Sequence, residues 1–335
     1  MNTRKNREEI TAKKLRALAI VLGGGAFIAV SLQTFLVSAL PTQAQMQTQA
    51  GAQEELSALA TANPFEDISL EARAVFVFDL KKRSGLFARN ENEKLPLASV
   101  TKIMTALVAR EHMSESVVAT LTGDDISVEG DSGLRTGERW RLGDLISVML
   151  LVSSNDAAHA VAGFVGSEGQ PNADRENARV KFIGMMNEKA LALGLAQTQF
   201  FNESGLDIKE LRAGLPVATS ATAGGYGSAH DVAFLFAELW NNYPETIEIT
   251  ARKDARIISQ DDIAHILPNT NEIVGKISGL VASKTGYTDL AGGNLAIIFD
   301  RGIGDPVVAV VLGSTYKGRF DDMEKLVEAS RKTAE

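Results

Sequence analysis

Strand-like segments lie at the two ends of residues 67–335, and helical segments lie between them. Residues 72–80 and 85–90 are rich in β-branched and aromatic side chains and predict a hairpin. Three more predicted strands, separated by glycine-rich turns, span residues 280–288, 294–300 and 307–314. This arrangement predicts a mixed α/β fold in which the first and last segments pair in one sheet around a helical insertion.

Apolar residues recur at helical spacing through the middle of the chain and again at its end. Ser99 stands at the start of the first of these segments, and Gly194 closes the fourth. A loop rich in glycine, alanine and threonine, residues 213–227, interrupts the helical region. The predicted helices span residues 99–110, 143–152, 155–165, 180–194, 229–241 and 320–332.

The N-terminal region has the charge pattern of a membrane-targeting segment. Residues 1–16 carry an excess of lysine and arginine, and residues 17–40 contain no charged side chain. Such a run can cross a bilayer as a helix, with the cationic end in the cytoplasm. Small residues near its end also fit a cleaved signal peptide, so the segment is either a transmembrane signal anchor or a signal peptide. Residues 41–66 predict a flexible linker, and residues 67–335 predict an exported domain.

Composition excludes several function classes. The net charge of −8 is a poor match for nucleic acid. Because the chain has no cysteine, disulfides and cysteine-ligated metals are impossible. The histidines are scattered without the spacing of a metal-binding helix, so we expect neither a metal nor a cofactor.

Three short motifs combine hydroxyl and amine side chains. Ser99–Lys102 (Ser-Val-Thr-Lys) opens the first predicted helix, where residues three apart share a face, so the lysine amine can reach the serine hydroxyl. Ser153–Asn155 (Ser-Ser-Asn) lies in the break between two predicted helices, and Lys284–Gly286 (Lys-Thr-Gly) lies on a predicted strand. Together these elements are typical of enzymes that transfer acyl groups through a serine.

The residue types suit that chemistry. A serine hydroxyl is a weak nucleophile until a base removes its proton, and Lys102 is the candidate base for Ser99. An unperturbed lysine is mostly charged at neutral pH, but burial and the positive charge of Lys284 would both lower the pKa of Lys102. Ser153 would then relay the proton to the leaving amine.

The other motif residues suit substrate binding. Asn155 offers amide donors and an acceptor for a substrate peptide group. Lys284 and Thr285 would bind a carboxylate, and Gly286 would let the substrate backbone lie against the strand. The backbone N–H groups of the nucleophile and of Tyr287 would stabilise the oxyanion.

Four stretches around the motifs are LPLASVTKIMTALVA, LISVMLLVSSNDAAHAVA, MMNEKALALGLAQTQFFNESGLD and ASKTGYTDLAGGNLA. With them, residues 74–335 resemble the D-alanyl-D-alanine carboxypeptidase family of low-molecular-mass penicillin-binding proteins. The resemblance implies a β-lactamase/transpeptidase-like α/β (α+β) fold, with an antiparallel sheet flanked by helices, a mostly helical subdomain, and the site in the cleft between them. It also implies removal of the terminal D-alanine from peptidoglycan stem peptides through a Ser99 acyl-enzyme, with β-lactam antibiotics as covalent inhibitors.

Other activities share some of these motifs. A D,D-transpeptidase or D,D-endopeptidase would use all three. A class A-like β-lactamase would also need a glutamate that activates water, for which Glu168 and Glu203 are the candidates. A non-catalytic wall-binding module is the alternative of another class, although no motif residue is replaced. The second Ser-x-x-Lys element, Ser314–Lys317, follows the Lys-Thr-Gly motif and is expected to be an exposed turn.

Overall fold

A computed structural model describes residues 63–130, 132–170, 173–209 and 221–333 of the chain. In chain order, its strands are β1 (Ala74–Asp79), β2 (Ser84–Arg89), β3 (Leu95–Pro96), β4 (Val118–Thr120), β5 (Arg139–Arg141), β6 (Gln199–Phe200), β7 (Ile208–Lys209), β8 (Ala221–Thr222), β9 (Gly225–Gly227), β10 (Asp254–Ile258), β11 (Ala264–Pro268), β12 (Leu280–Thr288), β13 (Gly292–Asp300) and β14 (Pro306–Ser314). Its α-helices are α1 (Lys102–His112), α2 (Leu142–Leu151), α3 (Asn155–Gly166), α4 (Arg175–Ala192), α5 (Ala229–Asn242), α6 (Pro244–Ile247) and α7 (Gly318–Lys332).

The main sheet has the strand order β12-β13-β14-β1-β2, and each neighbouring pair is antiparallel. Ala74 of β1 lies opposite Leu312 of β14, so the first and last segments pair as the sequence predicts. The predicted hairpin is formed by β1 and β2. Strand β12, which carries the Lys-Thr-Gly motif, is an edge strand and therefore borders the adjoining helical region.

Helices cover both faces of the main sheet. On β13, Leu295 and Ile297 pack in the same cluster as Phe320 of α7, whereas Ala296 and Ile298 pack in the cluster that includes α1 and α5. Alternate side chains of a strand point to opposite faces, so a strand covered on both sides is apolar throughout. This explains the continuous apolar runs of β13 and β14.

The helical side of the domain contains α2, α3 and α4, packed with α1 around the completely buried side chains of Met149 and Phe182. Helix α4 begins five residues before its predicted start, because the side chain of Asp174 caps it by accepting hydrogen bonds from two backbone N–H groups. It is closed where predicted: Gly194 follows it with a φ of 70°, a conformation that glycine adopts without strain.

Four small sheets complete the described part of the fold. Strand β9 lies between β3 and β6, β4 pairs with β5, β7 pairs with β8, and β10 pairs with β11. The hairpin of β10 and β11 was not predicted from the sequence. Of the loop predicted over residues 213–227, the described part contains β8 and β9.

The predicted cytoplasmic segment, membrane segment and most of the linker lie outside the described residues. Among the helices of the described ranges, none combines the length and hydropathy that a bilayer crossing requires. The boundaries proposed at residues 16, 40 and 66 therefore stay predictions.

Candidate active site

Ser99 lies in a 3-10 turn, Ala98–Thr101, that leads directly into α1. The sequence places Ser99 at the start of the α-helix, but the α-helix itself begins at Lys102. The difference has a local cause. Ala98 adopts a φ of 47°, and the N–H of Leu97 is bonded to the carbonyl of Gly225, so the chain enters the helix through a sharp turn. The turn leaves Ser99 half-buried at the cleft.

Lys102 is completely buried, and its Nζ has three oxygen partners. Nζ lies 3.0 Å from Ser99 Oγ, 2.7 Å from Asn155 Oδ1 and 2.7 Å from the carbonyl oxygen of Ser204. The last two oxygens can only accept hydrogen bonds. A neutral amine has two N–H donors and one lone pair, so donating to these two oxygens leaves the lone pair for the hydroxyl proton of Ser99. The geometry therefore fits a neutral lysine acting as a base.

The protonation of Lys102 is shifted in the same direction. Burial lowers the pKa of Lys102 to about 7, while the negative charge of Glu203 acts in the opposite sense. Near neutral pH, a large fraction of the Lys102 side chain is therefore uncharged, whereas an exposed lysine would be almost fully protonated.

Lys284 is the second buried lysine of the cleft. Its Nζ donates to Ser153 Oγ and to the carbonyl oxygen of Thr285, each at 2.8 Å. Burial lowers the pKa of Lys284 well below its ordinary value, and the positive charges of Lys102 and Arg319 lower it further. The sequence predicts that repulsion between the two lysines lowers the pKa of Lys102, but in the structure this repulsion lowers the pKa of Lys284.

The two serines of the Ser-Ser-Asn motif have different environments. Ser153 adopts a φ of 62°, which is uncommon for a residue with a side chain, at the break between α2 and α3. This conformation accompanies its contact with Lys284. Ser154 instead caps α3 by accepting from the N–H of Ala157, and its Oγ lies 2.6 Å from Ser132 Oγ. Ser153 is thus the serine that faces the cleft, and Ser154 organises the helix.

Asn155 is the first residue of α3 and connects two parts of the site. Its Oδ1 accepts from Lys102, and its Nδ2 donates to the backbone carbonyl of Glu129 at 2.7 Å. Both ends of the amide are therefore engaged within the protein. Its expected contact with a substrate peptide group stays a prediction.

Strand β12 packs directly against the 3-10 turn that contains Ser99. A Cβ on Gly286 would lie 2.9 Å from Leu97 O and 3.2 Å from Ser99 N, so the close approach depends on glycine. The hydroxyl of Thr285 lies 2.6 Å from that of Thr270. Tyr287 is half-exposed and stands at the rim of the cleft.

The structure therefore brings the three motifs to one cleft between β12, the 3-10 turn and the start of α3. Ser99, Lys102 and Asn155 form one set of contacts, and Ser153 and Lys284 form the other. The charge of Lys102 acts on Lys284, which couples the two sets electrostatically.

Comparison with known proteins gives the family. A family model described as D-alanyl-D-alanine carboxypeptidase matches residues 58–315. The chain belongs to this family. Curated carboxypeptidase relatives include DacF of Bacillus subtilis, 28% identical over 269 residues that make up 78% of this chain and 62% of DacF. DacB2 of Mycobacterium tuberculosis is 28% identical over 248 residues, which make up 74% of this chain and 77% of DacB2.

A solved structure of the family has the same fold. Penicillin-binding protein D2 of Listeria monocytogenes, in its ampicillin-bound form, superimposes with a TM-score of 0.63 at 29% identity. The match covers 78% of this chain and 98% of that protein. The penicillin-binding/transpeptidase fold implied by the sequence is thus confirmed. The chain nevertheless spans less than two thirds of the length of DacF.

Two contributors to this carboxypeptidase-family site were missed by sequence reasoning. The carbonyl of Ser204 contacts Lys102, but a backbone acceptor leaves no signature in the side-chain sequence. Arg319 donates from Nη1 to the carbonyl of Gly286 at 2.8 Å and stacks over the ring of Tyr316 at 4.4 Å. In the sequence, Arg319 stands two residues after Lys317, the end of the second Ser-x-x-Lys element, and no motif marks it.

That second element does not form a reactive pair. Ser314, the last residue of β14, is buried and donates to Asp322 at 2.9 Å, whereas Lys317 is exposed. The turn is exposed as expected, apart from its first residue.

Proposed function

We propose that the chain is a serine-type D-alanyl-D-alanine carboxypeptidase that removes the terminal D-alanine from peptidoglycan stem peptides. The observation that carries the proposal is the pairing of the Ser99 hydroxyl with a completely buried lysine whose pKa is about 7. Family membership supports the reaction class. The substrate is part of the proposal.

Acylation follows from the contacts of Lys102. The neutral amine takes the proton of Ser99, and Oγ attacks the carbonyl carbon of the penultimate D-alanine. The backbone N–H groups of Ser99 and Tyr287 stabilise the oxyanion. The C–N bond to the terminal D-alanine then breaks, and the proton passes to the leaving amine through Ser153. Water then hydrolyses the ester: its oxygen bonds to the acyl carbon, the bond from that carbon to Oγ breaks, and a proton of the water restores the Ser99 hydroxyl.

Substrate orientation rests on the opposite side of the cleft. The terminal carboxylate binds to Lys284 and the Thr285 hydroxyl, and an anion there favours the charged form of the lysine. The substrate backbone lies along β12 at Gly286, where no side chain obstructs it. Asn155, whose side chain also contacts Lys102, binds a peptide group of the substrate.

β-Lactams are proposed to acylate the same serine, as slow inhibitors and not as substrates. A class A-like β-lactamase needs a glutamate that is free to activate water. Glu168 is exposed and paired with Lys181 at 2.6 Å, and Glu203 is buried against His159, also at 2.6 Å. Neither carboxylate has a contact to Ser99 in the described structure.

Export completes the proposal. Residues 17–40 anchor the chain in the membrane or direct its secretion, so that residues 67–335 act on the outer face of the cytoplasmic membrane. Fractionation of cells into membrane, cytosolic and secreted material, with detection of residues 67–335 by antibody, tests this point. Recovery of the domain from the cytosol would contradict it.

The decisive experiment compares Ser99→Ala with Ser314→Ala, which changes the serine of the second Ser-x-x-Lys element. We expect Ser99→Ala to abolish both D-alanine release from a synthetic pentapeptide, followed by mass spectrometry, and covalent labelling by fluorescent penicillin. The Ser314→Ala control should retain both. Labelling of Ser99→Ala would contradict the assignment of Ser99 as the nucleophile. If the protein cleaves cross-linked dimers of stem peptides but does not remove the terminal D-alanine from the pentapeptide, it is an endopeptidase.

A further inference from the structure

A buried glutamate–histidine pair lies behind the proposed base and has no part in the mechanism above. Glu203 Oε1 lies 2.6 Å from His159 Nδ1. Only 6% of the Glu203 side chain and 19% of the His159 side chain are exposed. A charged carboxylate is costly to bury, so its presence next to a catalytic cleft requires an explanation.

The pair is connected to Lys102 through the backbone. Residues 203 and 204 are fixed to α1 twice, because Thr105 Oγ1 donates to the Glu203 carbonyl at 2.6 Å and Lys102 Nζ donates to the Ser204 carbonyl at 2.7 Å. Since the Glu203 side chain binds α3, the same short segment joins the two helices on either side of the base.

Helix α3 contributes two residues to this arrangement. Asn155 and His159 are four positions apart and therefore share a face of the helix. Asn155 contacts the amine of Lys102, and His159 contacts the carboxylate of Glu203. One helix face thus holds both the base and the acid behind it.

The charges around Glu203 come from three helices. Lys102 belongs to α1, His159 to α3 and Arg179 to α4, whose guanidinium also lies 3.5 Å from Asp125. Burial raises the pKa of Glu203, but the hydrogen bond and charge of His159, a backbone hydrogen bond and the charge of Arg179 outweigh this effect and hold the pKa below its ordinary value. The carboxylate therefore stays ionised, and its charge raises the pKa of Lys102 against the effect of burial.

We propose that Glu203 and His159 form a positioning pair for Lys102, which holds the Ser204 carbonyl against the amine and adjusts the charge around it. The role rests on the proposed acyl transfer, but its physical content is independent of turnover. Glu203 supplies a negative charge that acts on Lys102, and the hydrogen bond with His159 holds that carboxylate against α3. Glu203 therefore acts on Lys102 through its charge, and His159 acts through the position of Glu203.

The separate contributions of the two residues make the role testable. Glu203→Gln keeps the shape and removes the charge, so the pKa of Lys102 should fall by about 1 unit, the order expected for a nearby carboxylate. His159→Gln leaves the carboxylate in place and keeps a hydrogen-bond donor for it, so the pKa of Lys102 should change by less than it does in Glu203→Gln. In the double variant, the change should follow Glu203→Gln, because no carboxylate is left to position.

The measurement is an NMR titration of the full-length chain carrying ¹³C-labelled lysine, with the Lys102 signal assigned by its loss in Lys102→Arg. Glu138→Gln is the matched control. Glu138 and His265 form another buried glutamate–histidine pair, with Oε2 and Nε2 3.3 Å apart, and removing its charge should leave the Lys102 titration unchanged. An unchanged Lys102 pKa in Glu203→Gln, or a larger shift in His159→Gln than in Glu203→Gln, would overturn the proposal.

Penicillin labelling, measured on the same samples, separates this inference from the proposed function. If the unmodified chain is not labelled, the proposed function fails, while the titration still reports on the positioning pair. If labelling is normal and the pKa of Lys102 does not respond, only the positioning pair fails.

Discussion

Gly205 joins the segment of Glu203 and Ser204 to the 3-10 turn that contains Ser99. Adding one methyl group at Gly205 therefore tests the geometry of the site. Gly205 has a φ of 80°, and a Cβ at this position would lie 1.9 Å from the carbonyl oxygen of Ala98, the residue before Ser99. Because such contacts do not fall below 3.0 Å, Gly205→Ala must push the two backbones apart by about 1 Å.

The expected loss follows from that displacement. Misplacing a catalytic group by about 1 Å costs roughly 100-fold in rate, so penicillin labelling and kcat/KM for D-alanine release should both fall by about that factor. Alanine in a left-handed conformation also costs roughly 1–2 kcal/mol of the free energy of unfolding.

Gly194→Ala separates these two effects. Gly194 has a similar φ of 70°, but no atom lies within 4 Å of its Cβ position. This control should lose only the roughly 1–2 kcal/mol of the left-handed conformation and keep the wild-type labelling rate, whereas Gly205→Ala should lose more. Stopped-flow labelling and chemical denaturation measure the two quantities. If Gly205→Ala is labelled at the wild-type rate, the position of the 3-10 turn that contains Ser99 does not depend on this contact, and the predicted displacement is refuted.

Two further predictions follow from the buried lysines. Lys102 binds fewer protons folded than unfolded between about pH 7 and its ordinary pKa of 10.5, so the free energy of unfolding should rise with pH across that interval. In Lys102→Met, chemical denaturation should show that this rise, about 4 kcal/mol between pH 7 and 10.5, is absent; a variant whose free energy of unfolding rises as steeply as that of the unmodified chain would contradict the assigned burial cost. An anionic peptide should bind Ser99→Ala with uptake of a proton by Lys284, measured by calorimetry in buffers of different ionisation enthalpy. Lys284→Ala should bind more weakly and without that uptake, and equal uptake in both proteins would exclude Lys284 as its source.

The features predicted correctly from the sequence are those with a local pattern. The runs of β13 and β14, buried on both faces, are continuous apolar stretches, and the turns between them are rich in glycine. The break between α2 and α3 was marked by Ser-Ser-Asn, because Ser154 caps the second helix. Where a cap was overlooked, as at Asp174, the predicted helix began too late.

The features that were not predicted depend on contacts between distant residues. The acceptor for Lys102 is the backbone carbonyl of Ser204, and any residue at that position could supply it. Glu203 was considered as an activator of water, but its partner His159 is 44 positions away and was regarded as one of several scattered histidines. The sequence did not show which lysine has its pKa lowered by the repulsion, because it does not show that Lys284 is nearly as buried as Lys102.

The balance of charge in the cleft favours an anionic substrate. Lys102 and Lys284 are both buried, and Arg319 adds a third positive charge that acts on Lys284. The carboxylate that acts on Lys102 is Glu203, which forms a hydrogen bond with His159. Uncompensated buried cations are unfavourable, so the free protein lowers the cost by releasing protons from the lysines. A carboxylate that enters beside Lys284 favours return of a proton to that amine, whereas Lys102 needs its lone pair free to activate Ser99. A substrate with a carboxylate at one end and an electrophilic carbonyl one residue away meets both requirements.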